Sequence, residues 1–151
     1  MPAPLFAWST LDGLPLRPLD DGLINDTYAV GSPPVAVVQR LHPIFTPTVN
    51  EDIDAVTTHL EACGLLTPRV MRTTTGALWH TDDEGRSWRA LTWVPGQTIH
   101  RVQSTDVARE AGAMVGRWHA ALAEFPDVAH PLVWTHPISG RKSLSLSTIH
   151  L

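Results

Sequence analysis

The sequence predicts an α+β fold, an antiparallel sheet of about five strands with one helix packed on it and a longer helix beyond a hinge. Three observations point to it. The β-rich runs "TYAV" and "VAVVQR" are joined by the turn residues "GSPP", which reads as an antiparallel hairpin. Helical periodicity is confined to two stretches, one after Thr46-Pro47 and one after Ser104. The order is strand, strand, helix, three strands, long helix, so a single helix interrupts a run of strands. There is no internal repeat.

Residues 1–21 are rich in proline and leucine, with a short strand expected at Leu16–Leu19. "GLINDTYAV" then reads as a turn breaking into a strand. The first helix is expected over about 47–63. Thr46 before Pro47 is one candidate cap, and Asn50 is a second. Glu51 and Asp52 fall in or near the first turn, where the helix dipole favours carboxylates. Ile53, Val56, Leu60 and Cys63 lie on one face, and Gly64 is a plausible stop.

Three further strands are expected in "RVMRT", "ALWHT" and "SWRALTWV". The turn "TDDEGR" separates the last two. Its Asp82, Asp83 and Glu84 read as a solvated hairpin tip, because the ligand spacing of a calcium loop is missing. The long helix is expected from Ser104 to Phe125, with Ser104 or Thr105 as cap and Pro126 as stop. Val107, Ala111, Met114, Val115, Trp118, Leu122 and Phe125 form its apolar face. Gly112 and Gly116, one turn apart, suggest close packing against a neighbour. The chain therefore divides into a lobe with its hinge (1–96), the start of a second unit (97–137) and a tail (138–151). That tail, "ISGRKSLSLSTIHL", has four serines, two basic residues and no clear periodicity beyond "SLSLS".

Bulk properties remove several function classes. The chain has 151 residues, 43% apolar and 17% charged, enough for one ordinary globular domain. A net charge of −4 gives no electrostatic reason to expect nucleic acid or an acidic membrane as partner. One cysteine, Cys63, excludes an internal disulfide and a multi-cysteine metal site, and a cytoplasmic location is the expectation. The N-terminus lacks the features of a signal peptide, and no apolar run is long enough to span a membrane.

Several residues are of the types a nucleotide pocket needs. Gly22, Asn25, Asp26 and Thr27 offer a flexible turn and side-chain hydrogen bonds, although an ordinary turn has the same composition. Arg40, ending "VAVVQR", is a strand-borne cation able to reach phosphate oxygens, or a surface arginine. Gln39 beside it points to the opposite face. Glu51 can anchor Arg40 or simply stabilise the helix dipole. "RALTWVPGQTI" runs an apolar strand into Pro95-Gly96, a natural hinge, where backbone groups near Thr92, Trp93 and Val94 can read an adenine edge. His119, in "GRWHAAL", reads as structural. The eight histidines show no metal-ligand spacing, and the six tryptophans read as core or rim.

Together "GLINDTYAV", "VVQRLHPIF", "VNEDIDAVTTHL", "RALTWVPGQTI" and "AGAMVGRWHAAL" resemble the aminoglycoside phosphotransferase and choline kinase superfamily, over roughly residues 16–137. The likeness is nearest to its N-acetylhexosamine kinase-like branch. It implies a protein-kinase-like N-terminal lobe plus the first long helix of the C-terminal lobe. Residues Gly22–Thr27 would lie over the phosphates of ATP. Arg40 would stand where protein kinases carry the strand lysine, with Glu51 as its helix partner, although Gln39 can also align there. Thr92–Gly96 would be the hinge at the adenine. ATP and Mg are the cofactors implied for a full-length member, with a small sugar-like acceptor.

The departure from that pattern is as informative. A catalytic loop of the His-Gly-Asp-x-x-x-x-Asn kind is absent, as is the later metal-binding aspartate. After His119 the one aspartate is Asp127, and no asparagine follows. A positioned base contributes about 10²–10⁴ in rate and the metal several kcal/mol more. The expectation is an N-terminal fragment of an ATP-dependent sugar or aminoglycoside-type phosphotransferase, with no catalytic residue and no Mg site of its own. It would bind ATP weakly or not at all, be inactive alone, and be open to self-association through the exposed lobe face. The unusual tail fits an early stop or a change of reading frame. Two other readings stand beside it. One is a non-catalytic kinase-like module that binds or regulates a partner. The other is an unrelated sheet module that stacks carbohydrate on its tryptophans.

Overall fold

The computed structural model describes residues 3–19, 24–96, 99, 101–123, 125, 133–135 and 142–144. It begins with a short 3-10 turn, Leu5–Ala7, and continues into β1 (Leu16–Leu19), β2 (Asp26–Val30) and β3 (Ala36–Arg40). Helix α1 (Val49–Ala62) follows, then β4 (Val70–Met71), β5 (His80–Thr81) and β6 (Ser87–Thr92). Helix α2 spans Thr105–Leu122, and β7 (Val133–Thr135) pairs with β8 (Lys142–Leu144). The main sheet has six strands in the order β1-β2-β3-β6-β4, with β5 also on β6. Every pairing in it is antiparallel. The architecture is the α+β sheet with an inserted helix that the sequence predicts.

The β2–β3 hairpin turns at Gly31, whose φ is +94°. A Cβ there would sit 2.9 Å from the Pro33 carbonyl oxygen, so only glycine fits. Strand alternation then gives the sheet two faces. On one, Val30, Ala36, Val38, Trp88 and Ala90 are buried against Ala7, Trp8 and Leu11 from the N-terminal segment. Trp8 and Trp88 are each 1% exposed, and the Trp8 indole N–H donates to the Met71 carbonyl at 2.9 Å. The other face, carrying Thr27, Ala29, Val37, Gln39, Arg89 and Leu91, looks towards α1.

Helix α1 differs from expectation at both ends. Its cap position is Thr48, which makes no side-chain capping bond. Neither Thr46 nor Asn50 caps it. Thr46 hydrogen-bonds the Thr48 hydroxyl, and Asn50 lies inside the first turn, fully buried. Glu51 and Asp52 are in the first turn as expected. The buried residues are Asn50, Thr57 and Leu60, whereas Cys63 is an exposed free thiol. Gly64, at φ +74°, stops the helix.

Helix α2 begins with Ser104, whose hydroxyl accepts from the Val107 N–H at 3.2 Å. None of its residues is buried, and Met114 and Val115 are 43% and 53% exposed. Among the described residues, nothing lies within 4 Å of a Cβ at Gly112 or Gly116, so no close approach to them is seen there. The helix meets α1 near its end. His59 Nε2–H donates to the Ala121 carbonyl at 2.8 Å, and the His59 ring packs edge-on against Phe125.

Candidate nucleotide-binding face

Two cross-strand rows sit side by side on the α1 face of the sheet. Thr27, Gln39 and Arg89 are register partners across β2, β3 and β6. Ala29, Val37 and Leu91 form the next row on the same face. The first row is polar and connected. Thr27 donates its hydroxyl to the Asn25 carbonyl at 3.2 Å, and Gln39 Nε2 donates to Thr27 Oγ1 at 3.2 Å. Arg89 Nε donates to Gln39 Oε1 at 2.9 Å, and Arg89 Nη1 donates to Asn50 Oδ1 at 3.3 Å. Asn50 is fixed in turn, because its Nδ2 donates to the Pro47 carbonyl at 2.8 Å. A sheet row is thus continued by the first turn of α1.

Arg89 is half-buried, and burial lowers its pKa below the ordinary guanidinium value. Among the described residues it has no carboxylate within ion-pair distance, and its hydrogen-bond partners are both neutral amides. It lines a cavity of ≈ 170 Å³ with Asn25, Leu41, Phe45, Val49 and Ile53. The loop end Asn25, the β3–α1 connection and the α1 face therefore converge on this guanidinium. Asn25 is positioned by the His42 N–H, which donates to its Oδ1 at 2.9 Å.

The residues singled out from the sequence separate into four groups. Asn25 and Thr27 belong to the polar row or its loop. Gly22 lies outside the described residues. Arg40 and Glu51 do not come together. Arg40 is ion-paired with Asp26, its direct cross-strand neighbour, and Glu51 is exposed with no ion pair among the described residues. The physical reason is alternation. Asp26 and Arg40 share the register of Trp88, on the N-terminal-segment side of the sheet, while Gln39 faces α1. Gln39, not Arg40, thus lies on the face of β3 that looks towards α1.

At the other end of β6 the hinge backbone is partly engaged. The Thr92 N–H donates to the Arg69 carbonyl at 2.9 Å and the Trp93 N–H to the Val35 carbonyl at 3.1 Å. Thr92 Oγ1 accepts from the Arg69 N–H at 2.9 Å. The Val94 N–H has no acceptor among the described residues. His119 is exposed on α2.

Sequence reasoning missed Arg89 and the role of Asn50. The signal was present: an arginine in the middle of "SWRALTWV" places a charge inside a strand whose neighbours Trp88 and Ala90 are core residues. No group of three or more His, Cys, Asp or Glu side chains able to hold a metal occurs among the described residues. Asp82 is committed to Trp88, Arg86 and the backbone of its own turn.

The strand pair leading into α1, the long β6 running to Pro95-Gly96 and the helix beyond it agree with a comparison of the sequence with known families. Residues 15–144 match APH, the phosphotransferase enzyme family, and include β8 and the first residues of the 138–151 stretch. That span is most of the chain, and the protein belongs to the phosphotransferase enzyme family.

Proposed function

We propose that this chain forms the ATP-binding lobe of a phosphotransferase that acts on a hydroxyl of a small, sugar-like molecule, with the N-acetylhexosamine kinase-like branch as the nearest likeness. One observation carries the reading. The apolar row Ala29, Val37 and Leu91 lies between the polar row Thr27, Gln39 and Arg89 and the hinge at Trp93–Val94, on one face of one sheet. Three residues of strand, about 10 Å, separate the polar row from Thr92. An adenine ring would meet that apolar row, with a backbone N–H at its edge in Val94 and polar groups where its phosphates would lie. Asn25 and Thr27 would form the near side of the loop over those phosphates.

The donor set fits the nucleotide better than it fits the metal. ATP would supply the phosphoryl group and the chain's own residues would bind and orient it. The described residues offer no carboxylate cluster for Mg. A positioned base is also wanting, since Asp127 is the one aspartate after His119. The 151-residue chain alone is therefore proposed to bind nucleotide without transferring phosphate. An exposed free cysteine persists in a reducing compartment, which supports the cytoplasm as the site of action. The exposed Met114 and Val115 of α2 support self-association as a further property.

Titration of the isotope-labelled chain with adenosine and with ATP tests the reading. Adenosine should shift the Ala29, Val37 and Leu91 methyl signals and the Val94 amide together. If neither compound moves those four residues at millimolar concentration, the reading fails.

A further inference from the structure

We propose that Arg89 on β6, held by Gln39 and Asn50, is the cation that receives the nucleotide's phosphates, in place of a lysine or arginine on β3. The proposal rests on the nucleotide reading of the α1 face and names the group that binds charge there.

Four observations support it. Arg89 is half-buried and, among the described residues, without a carboxylate partner. A cation removed from water without an anion is unfavourable, so such a position favours an anionic ligand. Its two recorded partners, Gln39 Oε1 and Asn50 Oδ1, are neutral acceptors that orient the guanidinium without neutralising it. A strut between two amides has no need of a charge. The guanidinium also keeps a free edge: Nη2 makes no hydrogen bond to a described residue, and planar guanidinium edges suit phosphate oxygens. Finally, it lines a cavity together with Asn25, the loop residue ahead of β2.

Arg40 differs in its face and in its partner. It is on the opposite face, its charge is met by Asp26, and the pair is exposed. Gln39 on β3 thus acts as a positioning residue for a cation borrowed from the neighbouring strand, and Asn50 takes the anchoring place that Glu51 would have filled.

The experiment compares ATP, adenosine and inorganic tripolyphosphate on the full chain. In the unmodified protein, tripolyphosphate should shift the Arg89 Nε–H resonance and leave that of Arg40 unmoved. Arg89→Gln should weaken ATP roughly tenfold or more while leaving adenosine affinity unchanged. Arg89→Lys should recover part of the loss, and Arg40→Gln should change ATP affinity by less than about threefold. Unchanged adenosine affinity also certifies that Arg89→Gln is folded. If that variant does not fold, the tripolyphosphate titration of the unmodified chain decides alone. An ATP-to-adenosine affinity ratio unchanged by Arg89→Gln, or an Arg89 signal indifferent to tripolyphosphate, overturns the proposal while leaving the adenine site intact. Tripolyphosphate binding at Arg89 with no response to adenosine supports the phosphate site and overturns the nucleotide reading. No response to any of the three overturns both.

Discussion

The indole N–H of Trp88 donates to Oδ2 of Asp82 at 2.8 Å, tying a core tryptophan to the hairpin tip that precedes its own strand. Asp82 accepts three further hydrogen bonds, from Arg86 Nε at 2.8 Å, the Arg86 N–H at 2.9 Å and the Glu84 N–H at 3.0 Å. The acidic turn "TDDEGR" is therefore organised around one carboxylate, and its work is structural.

Asp82→Asn should destabilise the fold in a pH-dependent way. Burial pushes the Asp82 carboxyl up, but the bonds from Trp88, Arg86 and the turn backbone outweigh it and hold the group well below the carboxylate range. A depressed folded pKa means that the ionised form stabilises the native state. The contribution is complete above the unfolded value of 3.8 and is lost as pH falls towards the depressed folded value. Denaturant melts of both proteins should show a constant gap from about pH 5 to 7 that narrows below about pH 4. A gap that widens on acidification would refute this account.

Gly112→Ala and Gly116→Ala should each stabilise α2 by about 0.5–1 kcal/mol, because alanine loses less backbone entropy and meets nothing. Among the described residues, both positions have open space within 4 Å. Amide exchange across 105–122 should slow in both variants. Exchange that speeds up would mean that the glycines serve a close contact after all.

Local pattern made much of this fold legible. β1 falls at Leu16–Leu19 as expected, the Gly-Ser-Pro-Pro hairpin forms, and Gly64 ends α1. What stayed hidden depends on tertiary partners. Leu11 sits in the proline- and leucine-rich stretch 1–21, where the pattern assigns no core, yet it is buried beside Trp8 because β3 and β6 offer them a face. Asn50 reads as a cap because asparagine favours helix starts, whereas burial beside Arg89 gives it a different task. Arg40 carries the charge that a phosphate site wants, but strand parity turns it to the face opposite α1. One residue of register decided that, and charge alone could not reveal it.

A double-mutant cycle on Asp26 and Arg40 should return a small coupling, about 0.2–1 kcal/mol, and shrink further in salt. Their side chains are 47% and 39% exposed, so water screens the pair. The same cycle on Arg40 and Glu51 should give no coupling. A larger energy there than for Asp26 would restore the helix carboxylate as the partner of Arg40.

His59 joins the two helices at one point, and its removal should loosen α2 selectively. Its Nε2–H satisfies the Ala121 carbonyl, one of the last-turn acceptors that a helix leaves without an internal donor. The ring adds an edge-on contact to Phe125, with centroids 5.2 Å apart at 76°. Among the described residues few other groups hold α2, and none of its residues is buried. His59→Leu keeps the bulk but removes both the donor and the aromatic contact, at about 1–2 kcal/mol to the α1–α2 junction. Hydrogen exchange should therefore accelerate over 105–122 while the amides of β2, β3 and β6 keep their protection. Equal acceleration in the sheet would place His59 in the stability of the whole lobe rather than in the hold on α2.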